Sequence, residues 1–271
     1  MGVVSLAVRQ GCEDHNCLEA LLDRVTVRSV DDILDAAQFL RDFSHQNGLR
    51  VALCADVADE SPMADAEGHI IADTVFGWNE IGDRWWAQRH LALQSPLANA
   101  CRYESEPFWI NSAGFHGSVP NPYLQIIDLK EFFSHFAVSQ SAIVVPVHLP
   151  FAQVSANSFH PIEREVDDLS GTFAMVGGVL SILTRRFVAG YVQATRSKRR
   201  IPSDCALSKR EVACLRWAAI GKTDREIAMI IGLSHATIRY HIQRAGQKLD
   251  SINRAQTIFK AGQLGFLGAN S

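Results

Sequence analysis

Toward the carboxyl end, His235, Ala236, Arg239, Tyr240, Gln243 and Arg244 recur at intervals of one, three and four residues. On an α-helix that spacing gathers them on one outer face, with Thr237 beside its start. Arginine and glutamine carry forked or paired hydrogen-bonding groups that suit the edges of bases in a DNA groove. Lys222, Thr223 and Lys248 suit phosphates, and Arg254 is a further candidate DNA contact.

Such a face needs a helix and something to hold it. Ile238, Ile242, Ala245 and Leu249, spaced by four, three and four, supply the inward side of that helix. Upstream, Ser208-Lys209-Arg210-Glu211 and Thr223-Asp224-Arg225-Glu226 both fit the S/T-x-x-E box, in which hydroxyl and glutamate satisfy each other's backbone N–H groups. Caps of this kind contribute about 1 kcal/mol each. After Ile227, Ala228 and Ile231 the pattern breaks at Gly232-Leu233-Ser234. Glycine can close a helix in the left-handed conformation, and Ser234 can cap the next. A short helix, a tight turn and a second helix with a basic outer face follow helix-turn-helix logic. Trp217, Ile227 and Ile238 alone would fit any small helical bundle; glycine, caps and basic face together say more.

This stretch resembles the C-terminal DNA-binding domain of LuxR-type (GerE-type) transcription regulators. The resemblance is carried by Leu207, Glu211, Leu215, Trp217, Gly221-Lys222-Thr223, Glu226-Ile227-Ala228, Gly232, Thr237-Ile238, His241, Lys248-Leu249 and Asn253-Arg254-Ala255. It implies a four-helix domain over residues 207–267, whose fourth helix helps two copies meet on double-stranded DNA.

Charge divides the chain in the same place. From Arg196 onward there are 14 Lys/Arg against 5 Asp/Glu, whereas the preceding residues carry 12 against 24. A basic end joined to an acidic body reads as a nucleic-acid binder attached to something else, and 271 residues suit two domains. Gln193–Ala206 has four basic residues, a proline and no apolar periodicity, so residues 193–206 read as a linker. Six cysteines show no paired framework, and neither a signal peptide nor a bilayer-spanning apolar run stands out. A cytoplasmic protein without membrane attachment is expected. Cys12, Asp14, His15 and Cys17 could offer metal ligands, but no second pair follows at a zinc spacing, so no metal or cofactor is expected.

Residues 17–192 read as an α-β-α sandwich. Helices are expected over Asp31–Gln46, Asp128–Phe136 and Glu163–Gln193, with a broken helix over Trp85–Cys101. Strands are expected over Leu49–Val57, Ile70–Phe76, Pro107–Asn111, Ala142–Leu149 and Phe151–Phe159. Ser112–Pro122, rich in glycine and proline, reads as a loop, and Gly177-Gly178 would let another element approach the long helix.

That body is similar, more weakly, to the autoinducer-binding domain of quorum-sensing LuxR-type regulators. Trp85-Trp86, His90, Ser95-Pro96-Leu97, Pro107-Phe108-Trp109 and Phe136–Pro146 carry the likeness. It implies an aromatic-lined cavity with Trp85, Trp86, His90, Ser95, Phe108, Trp109 and Ser141 as candidate ligand contacts. Where the family has aspartate before proline to accept a ligand amide, this chain has Ser95. A hydroxyl is a weaker acceptor than a carboxylate, since charge-assisted hydrogen bonds are roughly twice as strong. This argues for a small apolar or aromatic ligand rather than a standard acyl-homoserine lactone. Each of these residues also has a plain reading: aromatics in a core, a hydrogen-bonded histidine, a serine starting a helix.

No G-x-S-x-G, phosphate-binding or dinucleotide-binding glycine pattern occurs, so catalysis is not expected. The expected protein is a dimeric, ligand-controlled transcription regulator that meets RNA polymerase if it activates. The alternative is a ligand-independent regulator or a module that heterodimerises with another member.

Overall fold

Strand-forming stretches of the acidic body find one another in a single antiparallel sheet. The structure, a computed structural model, describes residues 15–58, 61–78, 95–129, 132–133, 138–195 and 206–268. They fall into two units, one running to Ser197 and one from Lys198 onward. In the first, α1 (His15–Arg24) and α2 (Ile33–Gln46) lead into β1 (Leu49–Cys54), followed by α3 (Ile71–Thr74) and α4 (Pro96–Tyr103). Then come β2 (Phe108–Asn111), β3 (Gly114–Gly117), β4 (Ser141–Leu149), β5 (Gln153–Pro161) and α5 (Ser170–Thr195).

The sheet order is β1-β5-β4-β2-β3. Side chains alternate along a strand, so β4 feeds two cores. Ile143, Val145 and Val147 join Phe159 and the buried faces of α1, α2 and α5. Ala142 and Val144 join Phe108, Ile110 and the Ala100 and Cys101 of α4 on the opposite face. Helices therefore cover both faces, an α-β-α sandwich. The seam Leu169, Val176, Leu180, Leu183 and Phe187 is buried, and α5 packs on β4. By length and composition alone α5 could cross a membrane; its buried seam on the sheet marks a core helix.

Several expectations change. Ile70–Phe76 is not a strand: Ile71–Thr74 is a helical turn, because burying Ile71, Ala72, Val75 and Phe76 together requires helical rather than alternating spacing. The Ser112–Pro122 loop contains β3, paired with β2 in a hairpin whose Gly114 has φ +145°. The long helix starts at Ser170, not Glu163, because the intervening carbonyls serve the start of β4. Arg164 accepts from the Gln140 N–H, and Val166 accepts from the Ser141 hydroxyl at 2.6 Å. The close approach to α5 is at Gly190, where an added Cβ would lie 2.5 Å from the Val27 carbonyl, while Gly178 faces open space. Of Asp128–Phe136, Leu129 is buried and the Phe133 N–H donates to its carbonyl; residues 130, 131 and 134–136 lie outside the described set.

One buried polar cluster ties strand ends together. The Ser139 hydroxyl donates to the Ser141 carbonyl (2.7 Å) and so accepts from His160 Nδ1 (2.9 Å), leaving Nε2 to accept from Ser158 (2.9 Å). Burial pushes the His160 pKa down to about 4, with Arg50 adding to the effect.

The second unit comprises α6 (Lys209–Ala219), α7 (Asp224–Ile231), α8 (His235–Lys248) and α9 (Arg254–Gln263). Cys214, Leu215, Ile227, Ile238, Ala245, Leu249 and Ala261 form its core.

Candidate nucleic-acid interface

Local chemistry sets each helix of the second unit in place. At α6, Ser208 Oγ accepts the Glu211 N–H (3.3 Å) while Glu211 Oε2 accepts the Ser208 N–H (2.7 Å). At α7 the same exchange joins Thr223 and Glu226 at 3.4 and 2.8 Å. Ser234 accepts the Thr237 N–H at 3.1 Å to start α8, and Asn253 accepts the Gln256 N–H at 2.8 Å to start α9. Between α7 and α8, Gly232 takes φ +68° and ψ 38°, the left-handed conformation that costs other residues more.

On α8, Ile238, Ile242 and Ala245 turn inward, with Leu249 buried just beyond the helix end. His235, Ala236, Arg239, Gln243 and Arg244 are exposed, and Tyr240 is 57% exposed. Thr237 is half-buried, its hydroxyl 2.8 Å from that of Ser234. The outward row is thus one continuous surface of donors and acceptors along a capped helix. Near its start, Lys222, Thr223, Asp224, Arg225, His235 and Arg254 line an open groove. Arg225 is exposed there and is a cation that the sequence reading passed over. Its place beside Lys222 at the first turn of a capped helix was the available signal.

Two expected DNA contacts have internal partners instead. Lys248 Nζ donates to Glu211 Oε2 (2.9 Å) and to the Ala206 carbonyl (3.0 Å). Burial alone would raise the Glu211 carboxyl, but the Ser208 N–H and the Lys248 ammonium hold it below the usual carboxylate range. Arg254 pairs with Asp224 and donates to the Lys222 carbonyl at 2.7 Å, fastening α9 to the start of α7. Lys260, unremarked in the sequence, donates to the Leu249 and Asp250 carbonyls at the end of α8, where a helix favours positive charge.

Residues 205–261 match the family model described as "Bacterial regulatory proteins, luxR family". The C-terminal domain belongs to the luxR family. Its relatives are regulators rather than enzymes. The transcriptional activator AhyR of Aeromonas hydrophila is 28% identical over 199 residues, which cover 71% of this chain and 74% of AhyR. The transcriptional activator LuxR of Aliivibrio fischeri is 41% identical over 70 residues, 26% of each chain. Among solved structures, SdiA in complex with octanoyl-rac-glycerol superimposes with a TM-score of 0.51 at 18% identity, covering 94% of this chain and 97% of the other. A crystal structure of Escherichia coli SdiA gives 0.50 at 18% identity, with 93% and 98% covered. The fold of this luxR-family chain is therefore SdiA-like.

The candidate ligand contacts do not converge on one place. Phe108 is buried on the α4 side of the sheet, with Phe115 at 5.8 Å between ring centroids. Trp109, its neighbour on β2, points to the α5 side, where its ring stacks on His116 at 4.0 Å. Ser141 is also buried, its hydroxyl already donated to Val166. Ser95 caps α4, accepting the Ala98 N–H at 3.5 Å. Trp85, Trp86 and His90 lie outside the described residues.

Proposed function

We propose that the chain is a cytoplasmic transcription regulator that reads double-stranded DNA with α8 and acts as a homodimer. The observation that carries this reading is the exposed row Arg239, Tyr240, Gln243 and Arg244 on a helix held by a left-handed glycine turn and capped at its start. In this arrangement Arg239 and Gln243 reach base edges, while Lys222, Thr223 and Arg225 at the head of α7 meet phosphate. Lys248 and Arg254 act through the fold, keeping α6 and α9 where α8 is presented. If the protein activates transcription, RNA polymerase is a further partner.

A small apolar or aromatic ligand would bias the dimer toward the DNA-competent state. The α4 side of the sheet suits such a ligand better than the α5 side, because Phe108, Phe115, Phe132 and Phe133 gather there while the α5 side is filled by the helix seam. The split of Phe108 from Trp109 and the engaged hydroxyl of Ser141 favour the second reading, a regulator that needs no ligand or pairs with another member.

Selection of sites from a randomised duplex pool tests the DNA reading. Arg239→Ala and Gln243→Ala relax base preference, each by about 1–3 kcal/mol at its position, whereas Lys222→Ala weakens all duplexes and flattens the salt dependence. Unchanged site selection by both α8 variants would refute the face assignment.

A further inference from the structure

The outer side of α5 carries a second seam, opposite the buried one. Gly171, Met175, Gly178, Ile182 and Arg185 follow one another at intervals of four, three, four and three, and all five are exposed. Met175 is 60% exposed and Ile182 44%, large apolar surfaces for a helix already packed on its other side. An added Cβ at Gly171 or Gly178 would meet nothing within 4 Å, so the backbone itself is open along this row.

Charge brackets the seam. Asp167 and Asp168 stand exposed just before α5, and Asp168 accepts the Ser170 N–H at its start. Arg185 and Arg186 stand exposed beyond Ile182, with no ion pair to either among the described residues. The seam thus has an acidic end, an apolar middle and a basic end.

We propose that this face of α5 is the contact between two copies of the chain, packed antiparallel about a twofold axis near Gly178 and Val179. The proposal rests on the dimeric regulator described above and assigns its surface. In that register Met175 meets the partner's Ile182, and Gly171 meets the partner's Arg186. Asp167 and Asp168 then fall within a helical turn of the partner's arginines. A twofold contact must be self-complementary, and this one is. A parallel pair would instead set arginine against arginine and aspartate against aspartate, and would align the two helix dipoles unfavourably. The open glycines let the axes approach, so the apolar middle can close on itself.

Sedimentation velocity on the full chain reads the association. The unmodified chain is expected to be a dimer, and Ile182→Asp or Met175→Asp to raise its dissociation constant roughly tenfold or more. The pair Arg185→Glu with Arg186→Glu weakens it likewise. Mixing that chain with one carrying Asp167→Arg and Asp168→Arg restores pairing as a heterodimer. Circular dichroism checks that each variant is folded. Direction is read by oxidation: Gly178→Cys links to itself beyond the background of the native cysteines. Gly171→Cys links to Arg186→Cys in a mixture but not to itself. A monomeric unmodified chain, folded Asp variants that still dimerise, or self-linking of Gly171→Cys would overturn the proposal. Retained binding of a single half-site duplex by Ile182→Asp separates loss of this contact from failure of the DNA reading.

Discussion

In the C-terminal unit, the side chains that face outward together stand on one helix, α8, and every one of them was placed there by a repeat of three and four residues. In the N-terminal unit, the residues grouped as ligand contacts lie on different elements and on both faces of the sheet. A helical face is a local object, because neighbours at three and four residues are neighbours in space. A cavity between sheet and helices is assembled by strand register, and adjacent strand residues such as Phe108 and Trp109 must part company. Cations differ in the same way. Arg239 and Arg244 were assigned correctly as exposed from their phase alone, whereas Lys248 and Arg254 have partners 37 and 30 residues away that no local pattern announces.

The largest expected effect tests whether the two units stand apart energetically. Ile238→Ala removes a fully buried side chain and should cost the C-terminal unit about 2–5 kcal/mol. Calorimetry should show one transition lowered and the N-terminal transition unmoved; a shift of both would show that the units melt together.

Next is the pH response of the N-terminal unit. His160 is held neutral, with a folded pKa of about 4 against 6.5 for an ordinary histidine. The unfolded chain binds that proton first, so stability is fully present above pH 6.5 and falls as pH drops toward 4, by roughly 3 kcal/mol in all. His160→Gln should flatten that part of the profile. An unchanged slope in the variant would place the titration elsewhere.

Smaller again is the fastening of α9. The Arg254–Asp224 pair is partly exposed, so a double-mutant cycle with Arg254→Ala and Asp224→Ala should give a coupling of about 1 kcal/mol. DNA affinity in Arg254→Ala should fall by no more than the loss of folded protein explains. A salt-dependence slope reduced by about one would instead mark Arg254 as a phosphate contact. Smallest is the stability change in Arg239→Ala, within about 0.5 kcal/mol by thermal melt, because its side chain is exposed. A larger loss would mean that α8 uses that arginine to hold the fold.

Much of the architecture was legible because it is local. The capping boxes at Ser208 and Thr223, the glycine at 232 and the seam of α5 each state their structure within a few residues. The misread elements fail for a shared reason. Ile70–Phe76 has strand-like residues but no neighbouring strand to pair with, so burial bent it into a helical turn. Residues Glu163–Asp168 extend the helical pattern, yet their carbonyls are claimed by Gln140 and Ser141 across the sheet's edge. Phe151 and Ala152 adopt positive φ, 66° and 57°, in a turn that contains no glycine or asparagine to signal it.

The amino-acid order alone settled which helices exist near the carboxyl end, where they begin, and which side chains they turn to solvent, since hydrogen bonds and contacts within four residues decide all three. Folding in three dimensions decided which face of the sheet each aromatic ring enters and which cations are engaged internally. Those outcomes depend on strand register and on partners distant in sequence, and no short-range periodicity encodes them.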